Sequence, residues 1–118
     1  MENKRVVLGL DISTTTIGCC IMVVENGERK ILKAMAVSPK INKKIKGIES
    51  LFLKKKIFEE EFLTKYLDTP FTDVVIEAPL IKSNNINTVV TLIQFNSLIS
   101  ESIYDTLGIV PEIGRAHV

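Results

Sequence analysis

The chain carries Val6-Val-Leu-Gly-Leu-Asp11 near its start and Asp73-Val-Val-Ile-Glu77 further on, two apolar, β-branched runs that each end in a carboxylate. Such runs are typical of buried strands. Apolar residues recur at a helical period between them, from about Lys43 to Leu67, and a helical crossover indicates that the two strands are parallel. If the strands are also neighbours, Asp11 and Glu77 emerge at the same edge of the sheet.

The other segments complete an α/β pattern. Three further runs are strand-like: Ile17–Val24, Lys30–Val37 and a short one opening at Ile109-Val110. The first two surround the turn signal Asn26-Gly27, and a short hydroxyl-rich connection joins the first run to Asp11. A second helical pattern runs from Asn87 to Leu107 and closes at Gly108. The predicted order is β-β-β-α-β-α-β, a mixed five-stranded sheet with helices on its faces.

Composition limits the class of protein. A chain of 118 residues that is 46% apolar predicts one globular domain, and a net charge of +1 means that any nucleic-acid surface has to be local. Cys19 and Cys20 are adjacent in a predicted strand, which sends their side chains to opposite faces, so we expect reduced thiols and a cytoplasmic protein. No long apolar segment predicts secretion or a membrane partner.

One local excess of positive charge stands out. Seven lysines and only one acid, Glu49, lie between residues 40 and 56: Lys40, Lys43, Lys44, Lys46, Lys54, Lys55 and Lys56. Lysine-rich helical stretches are common on surfaces, so the pattern favours a solvated helix face, and a nucleic-acid surface is the alternative.

The two carboxylates predict a metal site. Acids at the ends of buried strands are costly unless a positive group compensates them, and a divalent cation does so. Mg²⁺ prefers oxygen ligands and keeps water and phosphate oxygens in its remaining positions. The competing interpretation is structural: Asp11 caps the following turn and Glu77 ends a strand at the surface. Either residue alone favours that interpretation, whereas the pair favours the metal site.

These motifs resemble a known family. Val6 to Asp11, followed by Ser13, Thr14 and Gly18, is similar to the first motif of the RuvC-like Holliday-junction resolvases, which belong to the RNase H-like nucleases. Val74-Val-Ile-Glu77 with Ala78-Pro79 is similar to their second motif. The resemblance implies an RNase H-like mixed sheet and a metal-dependent endodeoxyribonuclease, in which Asp11 and Glu77 are catalytic ligands of Mg²⁺ or Mn²⁺.

The resemblance also implies a partner, DNA, branched as in a Holliday junction, with a role in recombination, repair or phage DNA processing. DNA contacts are expected from the first turn and from the loop after the second motif: Ser13, Thr14, Lys82, Ser83, Asn84 and Asn85. For the loop, a solvated segment with Asn85 or Asn87 as helix cap is an equal alternative. A homodimer would use the second helix, although core packing alone accounts for its apolar stripe.

The family continues with a strand and a helix that carry further acidic ligands, and this chain does not extend that far. Residues 113–118 can be back-translated as ATC GGA AGA GCA CAC GTC, which reads as a sequencing adapter. We therefore expect residues 1–112 to be a partial RNase H-like nuclease domain, truncated in its C-terminal strand and helix, and residues 113–118 to be a non-native tail. Such a fragment should be inactive by itself.

Two other functions fit the same residues. A strand, an Asp and a Ser/Thr-rich hairpin also open the sugar-kinase, Hsp70 and actin superfamily, where the hairpin binds nucleotide phosphates, although its turn usually has Gly where this chain has Ile12 or Ser13. A non-catalytic RNase H-like DNA-binding module is the second alternative, since function depends on the site and not on the fold.

Overall fold

A computed structural model describes residues 3–78 and 85–114 of the chain. It is an α/β structure with five strands and two α-helices in this part of the chain. The elements in chain order are β1 (Lys4–Ile12), β2 (Ile17–Glu25), β3 (Glu28–Val37), α1 (Ile48–Glu61), a 3₁₀ turn (Leu63–Tyr66), β4 (Asp73–Glu77), α2 (Ile86–Leu107) and β5 (Glu112–Gly114). No helix within these residues is long and apolar enough to cross a membrane.

The strands form one mixed sheet in the order β3-β2-β1-β4-β5. Antiparallel pairing joins β1 to β2 and β2 to β3, whereas β1 with β4 and β4 with β5 are parallel. The parallel pairing of β1 with β4 follows from the α1 crossover between them. This confirms the prediction that the two strands ending in carboxylates are parallel, and it shows that they are neighbours, which the placement of Asp11 and Glu77 at one edge requires.

The core lies on one face of the sheet. Alternate residues of the strands, including Leu8 and Ile76, are buried there against Phe58 of α1 and Phe95 of α2. Both α-helices of the described residues pack on this face, whereas the sequence predicted helices on both faces. No helix of the described residues covers the opposite face, which carries the other set of alternate residues and is called the open face below.

The predicted turns and caps are in place. Asn26 and Gly27 have φ values of 53° and 81°, the two positive values that a type I′ turn requires. The Asn85 side chain accepts a hydrogen bond from the backbone N–H of Asn87, which makes Asn85 the N-cap of α2. The same helix ends at Gly108, as predicted.

The prediction of one helix from Lys43 to Leu67 is wrong at both ends. Gly47, at φ 69° and ψ −152°, precedes the first residue of α1, and this conformation is open to glycine only. Before it, Asn42 accepts hydrogen bonds from the Lys44 and Ile45 amides in an Asx turn, which replaces the first helical turns. The α-helix ends at Glu61 and a 3₁₀ turn follows.

The last strand begins later than predicted. Pro111 has no amide hydrogen to donate, and pairing with β4 starts at Glu112 rather than at Ile109. Ile113 and Gly114 belong to β5 and to the segment interpreted as a non-native tail. That interpretation stays a prediction, because a short extended segment can pair with any free sheet edge.

Candidate functional site

The two predicted ligand residues lie side by side on the open face. Leu10 of β1 is in register with Ile76 of β4, so the next residues, Asp11 and Glu77, occupy adjacent strand ends. Both line one cleft of about 550 Å³. Asp11 is exposed and Glu77 is half-buried, so solvent and a ligand can reach the two carboxylates.

Small residues form much of this cleft. Gly9, Gly18 and Gly114 line it together with Cys20 and Val75. A Cβ atom on Gly114 would lie 2.9 Å from Cγ1 of Val75, closer than packing allows. The glycines therefore leave the strand backbones accessible beside the carboxylates, as close approach of an extended ligand requires.

The two carboxylates have no basic partner among residues 3–78 and 85–114. The ion pairs found there are Arg5–Asp73, 2.6 Å between Nε and Oδ2, and Lys55–Glu59 at 4.0 Å. Arg5 pairs with another acid of the open face: its hydrogen bond lowers the pKa of Asp73 below the usual aspartate value. Arg5 therefore compensates the charge of Asp73, whereas neither Asp11 nor Glu77 has an ion-pair partner in the part of the chain that the structure describes.

This donor set fits a hard divalent cation. Two carboxylates in one open cleft supply the oxygen ligands that Mg²⁺ and Mn²⁺ bind, with room for water and phosphate oxygens. Within the described residues, no cluster of three or more His, Cys, Asp or Glu side chains surrounds a common point. The described residues therefore offer two ligands, and a cation bound by them would complete its coordination with water or phosphate oxygens.

The turn between β1 and β2 uses its hydroxyls internally. Ser13 Oγ accepts hydrogen bonds from the Thr16 amide (3.0 Å) and the Thr15 amide (3.4 Å), and it lies 3.0 Å from the Thr16 carbonyl, to which it donates. The Thr14 carbonyl accepts a hydrogen bond from Lys54 Nζ at 2.7 Å. Ser13 Oγ thus stabilises the turn beside Asp11 through hydrogen bonds to the turn backbone. The contacts of Ser13 and Thr14 with DNA stay predictions.

Four of the predicted DNA contacts lie in the loop after the second motif, and the structure describes only one of these four residues. Lys82, Ser83 and Asn84 lie outside the described residues. Asn85 is the N-cap of α2, so the helix-cap interpretation is confirmed for it, and a contact between Asn85 and a phosphate stays a prediction.

The side chains of the adjacent Cys19 and Cys20 lie on opposite faces of the sheet, as their strand position predicted. Cys19 faces the core, where burial raises the pKa of its thiol to about 12 and keeps it protonated at neutral pH. Cys20 lies on the open face, and both are free cysteines. Their opposite orientation agrees with the prediction that they form no disulfide.

The arrangement of strands and helices defines the class of protein: the chain has an RNase H-like α/β fold. No protein-family model matches the chain, and no curated protein is similar to it in sequence. The similarity to known proteins is therefore a similarity of structure.

Solved structures of other proteins are similar to the structure of this chain over most of its length. Thermus thermophilus RuvC in complex with a Holliday junction substrate superposes with a TM-score of 0.73 at 12% identity, over 95% of this chain and 66% of RuvC. A second Thermus thermophilus RuvC structure gives 0.70 at 13% identity, over 94% and 64% of the two chains. A Ppx/GppA family member from Aquifex aeolicus gives 0.52 at 13% identity, over 95% and 35%. The chain thus spans about two thirds of RuvC, and identities this low show the fold alone.

Proposed function

We propose that the chain is part of a divalent-metal-dependent endonuclease that cleaves DNA phosphodiesters, with Asp11 and Glu77 as two of its metal ligands. The observation that carries this proposal is the placement of two carboxylates, without a basic partner among the described residues, at adjacent strand ends in one cleft. Branched DNA is the proposed substrate, because a RuvC structure with this fold is in complex with a Holliday junction. The proposed role is in recombination, repair or phage DNA processing.

The residues of the chain would bind and orient the reacting groups. A divalent cation at this site would activate water and stabilise charge on a phosphodiester. Asp11 and Glu77 would hold it through their carboxylate oxygens, and the glycine-lined cleft would admit the sugar-phosphate backbone. The turn held by Ser13 would fix the end of β1 and thus the position of Asp11. No side-chain nucleophile is needed in such a reaction.

Metal binding is the direct test of this proposal. We expect Mn²⁺ titration of the 118-residue chain, followed by electron paramagnetic resonance of the free ion, to show one saturable site that Asp11→Asn or Glu77→Gln abolishes. At 100 times the dissociation constant, bound metal should stabilise the wild type by ~2.7 kcal/mol in urea unfolding and leave both variants unchanged. Asp68→Asn, an exposed acid outside the cleft, is the matched control. Equal Mn²⁺ binding by Asp11→Asn and wild type would refute the assignment.

Cleavage is a less direct readout than metal binding. The resemblance implies further acidic ligands, and the described residues supply only two in this cleft. We therefore propose that the 118-residue chain binds metal but cleaves DNA poorly by itself.

The Ppx/GppA likeness supports a second candidate function, a hairpin that binds nucleotide or polyphosphate groups. The hydroxyl-rich turn 13–16 is the feature that favours it, but its Ser13 hydroxyl is engaged with the turn backbone. Isothermal titration with ATP distinguishes the two candidates: saturable micromolar binding would favour the phosphate-binding hairpin. A chain that binds DNA but neither Mn²⁺ nor ATP would instead be a non-catalytic DNA-binding module.

A homodimer through α2 is a further part of the proposal. Four exposed apolar residues follow one stripe of this helix: Ile86, Val90, Ile93 and Tyr104. Two of them also line a cleft of about 640 Å³ with Val110 and Ile113. Exposed apolar stripes of this kind mark interfaces between proteins.

We expect sedimentation velocity to show a dimer of the wild type and a monomer of Val90→Glu. Thr106→Glu adds the same charge to an exposed position on another side of α2 and should leave the dimer intact. A monomeric wild type at 100 μM, or a dimeric Val90→Glu, would exclude this interface.

A further inference from the structure

The lysine-rich segment before α1 is not a helix face. Lys40, Lys43, Lys44 and Lys46 lie in the irregular connection between β3 and α1, and all four are exposed. The sequence contains no acid between residues 38 and 48. Neither ion pair of the described residues involves these lysines. The interpretation as a solvated helix face therefore holds only for the lysines within α1.

Two polar clefts meet at this segment. One, of about 550 Å³, is lined by Lys40, Lys43 and Lys46, and the other, of about 330 Å³, is lined by residues of the first turn and of the α2 N-terminus, including Thr14 and Thr88. Ser50 and Lys54 line both clefts, so the two are adjacent. We call the surface formed by these two clefts the lysine groove.

Two hydrogen bonds fix the groove beside the candidate metal ligands. Lys54 Nζ donates to the Thr14 carbonyl at 2.7 Å, which ties α1 to the turn that follows Asp11. Thr16 Oγ1 and Ser38 Oγ lie 3.1 Å apart, which ties the same turn to the end of β3, where the lysine segment starts. The groove thus adjoins the turn that follows Asp11 and extends from it to the lysines.

We infer that the lysine groove binds the phosphate backbone of one DNA strand and leads it to the Asp11 and Glu77 edge. Lysines attract phosphates as point charges, and hydroxyl and amide groups such as those of Thr88 add hydrogen bonds without reading sequence. Lys40, Lys43 and Lys46 line the groove and have no acidic partner within residues 3–78 and 85–114, so they retain their full attraction for such a ligand. This inference rests on the proposed function, because it takes DNA as the substrate.

The salt dependence of DNA binding tests the groove. Fluorescence anisotropy with a labelled duplex, in EDTA so that no metal contributes, gives the slope of log K against log salt. Each phosphate contact contributes about 0.9 to this slope on duplex DNA, so Lys43→Gln/Lys46→Gln should reduce it by ~1.8. The control, Lys30→Gln/Lys56→Gln, removes the same charge from two exposed lysines outside the groove and should keep the wild-type slope.

The outcomes separate the groove from the metal site. Equal slopes for the two double variants would overturn the groove while leaving DNA binding in place. A wild type that shows no DNA binding at 50 mM salt would also overturn it. The Mn²⁺ titration decides the Asp11 and Glu77 assignment independently, because neither double variant touches those carboxylates.

Discussion

Phe58→Ala should lower the free energy of unfolding by ~3–5 kcal/mol, the usual cost of removing a fully buried aromatic side chain from a core. The Phe58 side chain is 0% exposed, and its ring stacks on Phe62 with centroids 5.6 Å apart. Phe62 in turn contacts Tyr66 at 4.8 Å, so the three rings join α1 and the 3₁₀ turn. The substitution leaves a cavity that these rings can fill only in part.

Phe52→Ala in the same helix is the matched control. The Phe52 side chain is 43% exposed, so its removal should cost less than ~1 kcal/mol. Urea unfolding followed by circular dichroism at 222 nm measures both variants. A Phe58→Ala loss no larger than that of Phe52→Ala would show that α1 does not pack on the sheet as described.

The second large expected effect is a loss of stability when a charge is placed on the core face of the sheet rather than on its open face. Ile76→Lys places a charge at a side chain that is 0% exposed, between the sheet and the helices. An uncompensated buried charge costs ~3–5 kcal/mol, and the lost apolar contacts add to that, so the total approaches the whole stability of a small domain. We expect Ile76→Lys to be largely unfolded at 25 °C.

Its neighbour Val75 provides the control. Val75 lies on the open face, in the cleft that holds Glu77, and a lysine there can extend toward solvent and toward the acids. Val75→Lys should therefore change stability by less than ~1 kcal/mol. Far-ultraviolet circular dichroism and urea titration distinguish the two variants. If Val75→Lys unfolds the chain as Ile76→Lys does, the open face must be covered in solution.

Local sequence patterns predicted much of this structure. The strand Asp73–Glu77 has the predicted ends, because an apolar run bounded by acids specifies both its burial and its limits. Asn26-Gly27 predicted its turn, since few other pairs adopt two positive φ values. The first helix was predicted too long, because apolar spacing continues through Ile45 although the Gly47 conformation and the Asn42 turn prevent a helix there.

The candidate site was predictable for a similar reason. Asp11 and Glu77 each end an apolar run, and the helical crossover between the runs predicted that their strands are parallel. Their adjacency was a condition of the prediction and not a result of it, and the register of Leu10 with Ile76 meets that condition. The sequence did not predict the hydrogen bond of Lys54, because its partner Thr14 lies 40 residues away and the contact depends on how α1 crosses the sheet.

The sequence by itself determined the order of the elements, the apolar side of each strand and the two acids at the strand ends, because these depend on neighbouring residues and on a period of two or 3.6. Only the tertiary structure decided that both helices cover one face, that Arg5 pairs with Asp73 and with neither candidate ligand, and that Lys54 lines two adjacent clefts. The physical reason is that these contacts join residues distant in the chain. Their partners are selected by the packing of whole elements, which no local pattern encodes.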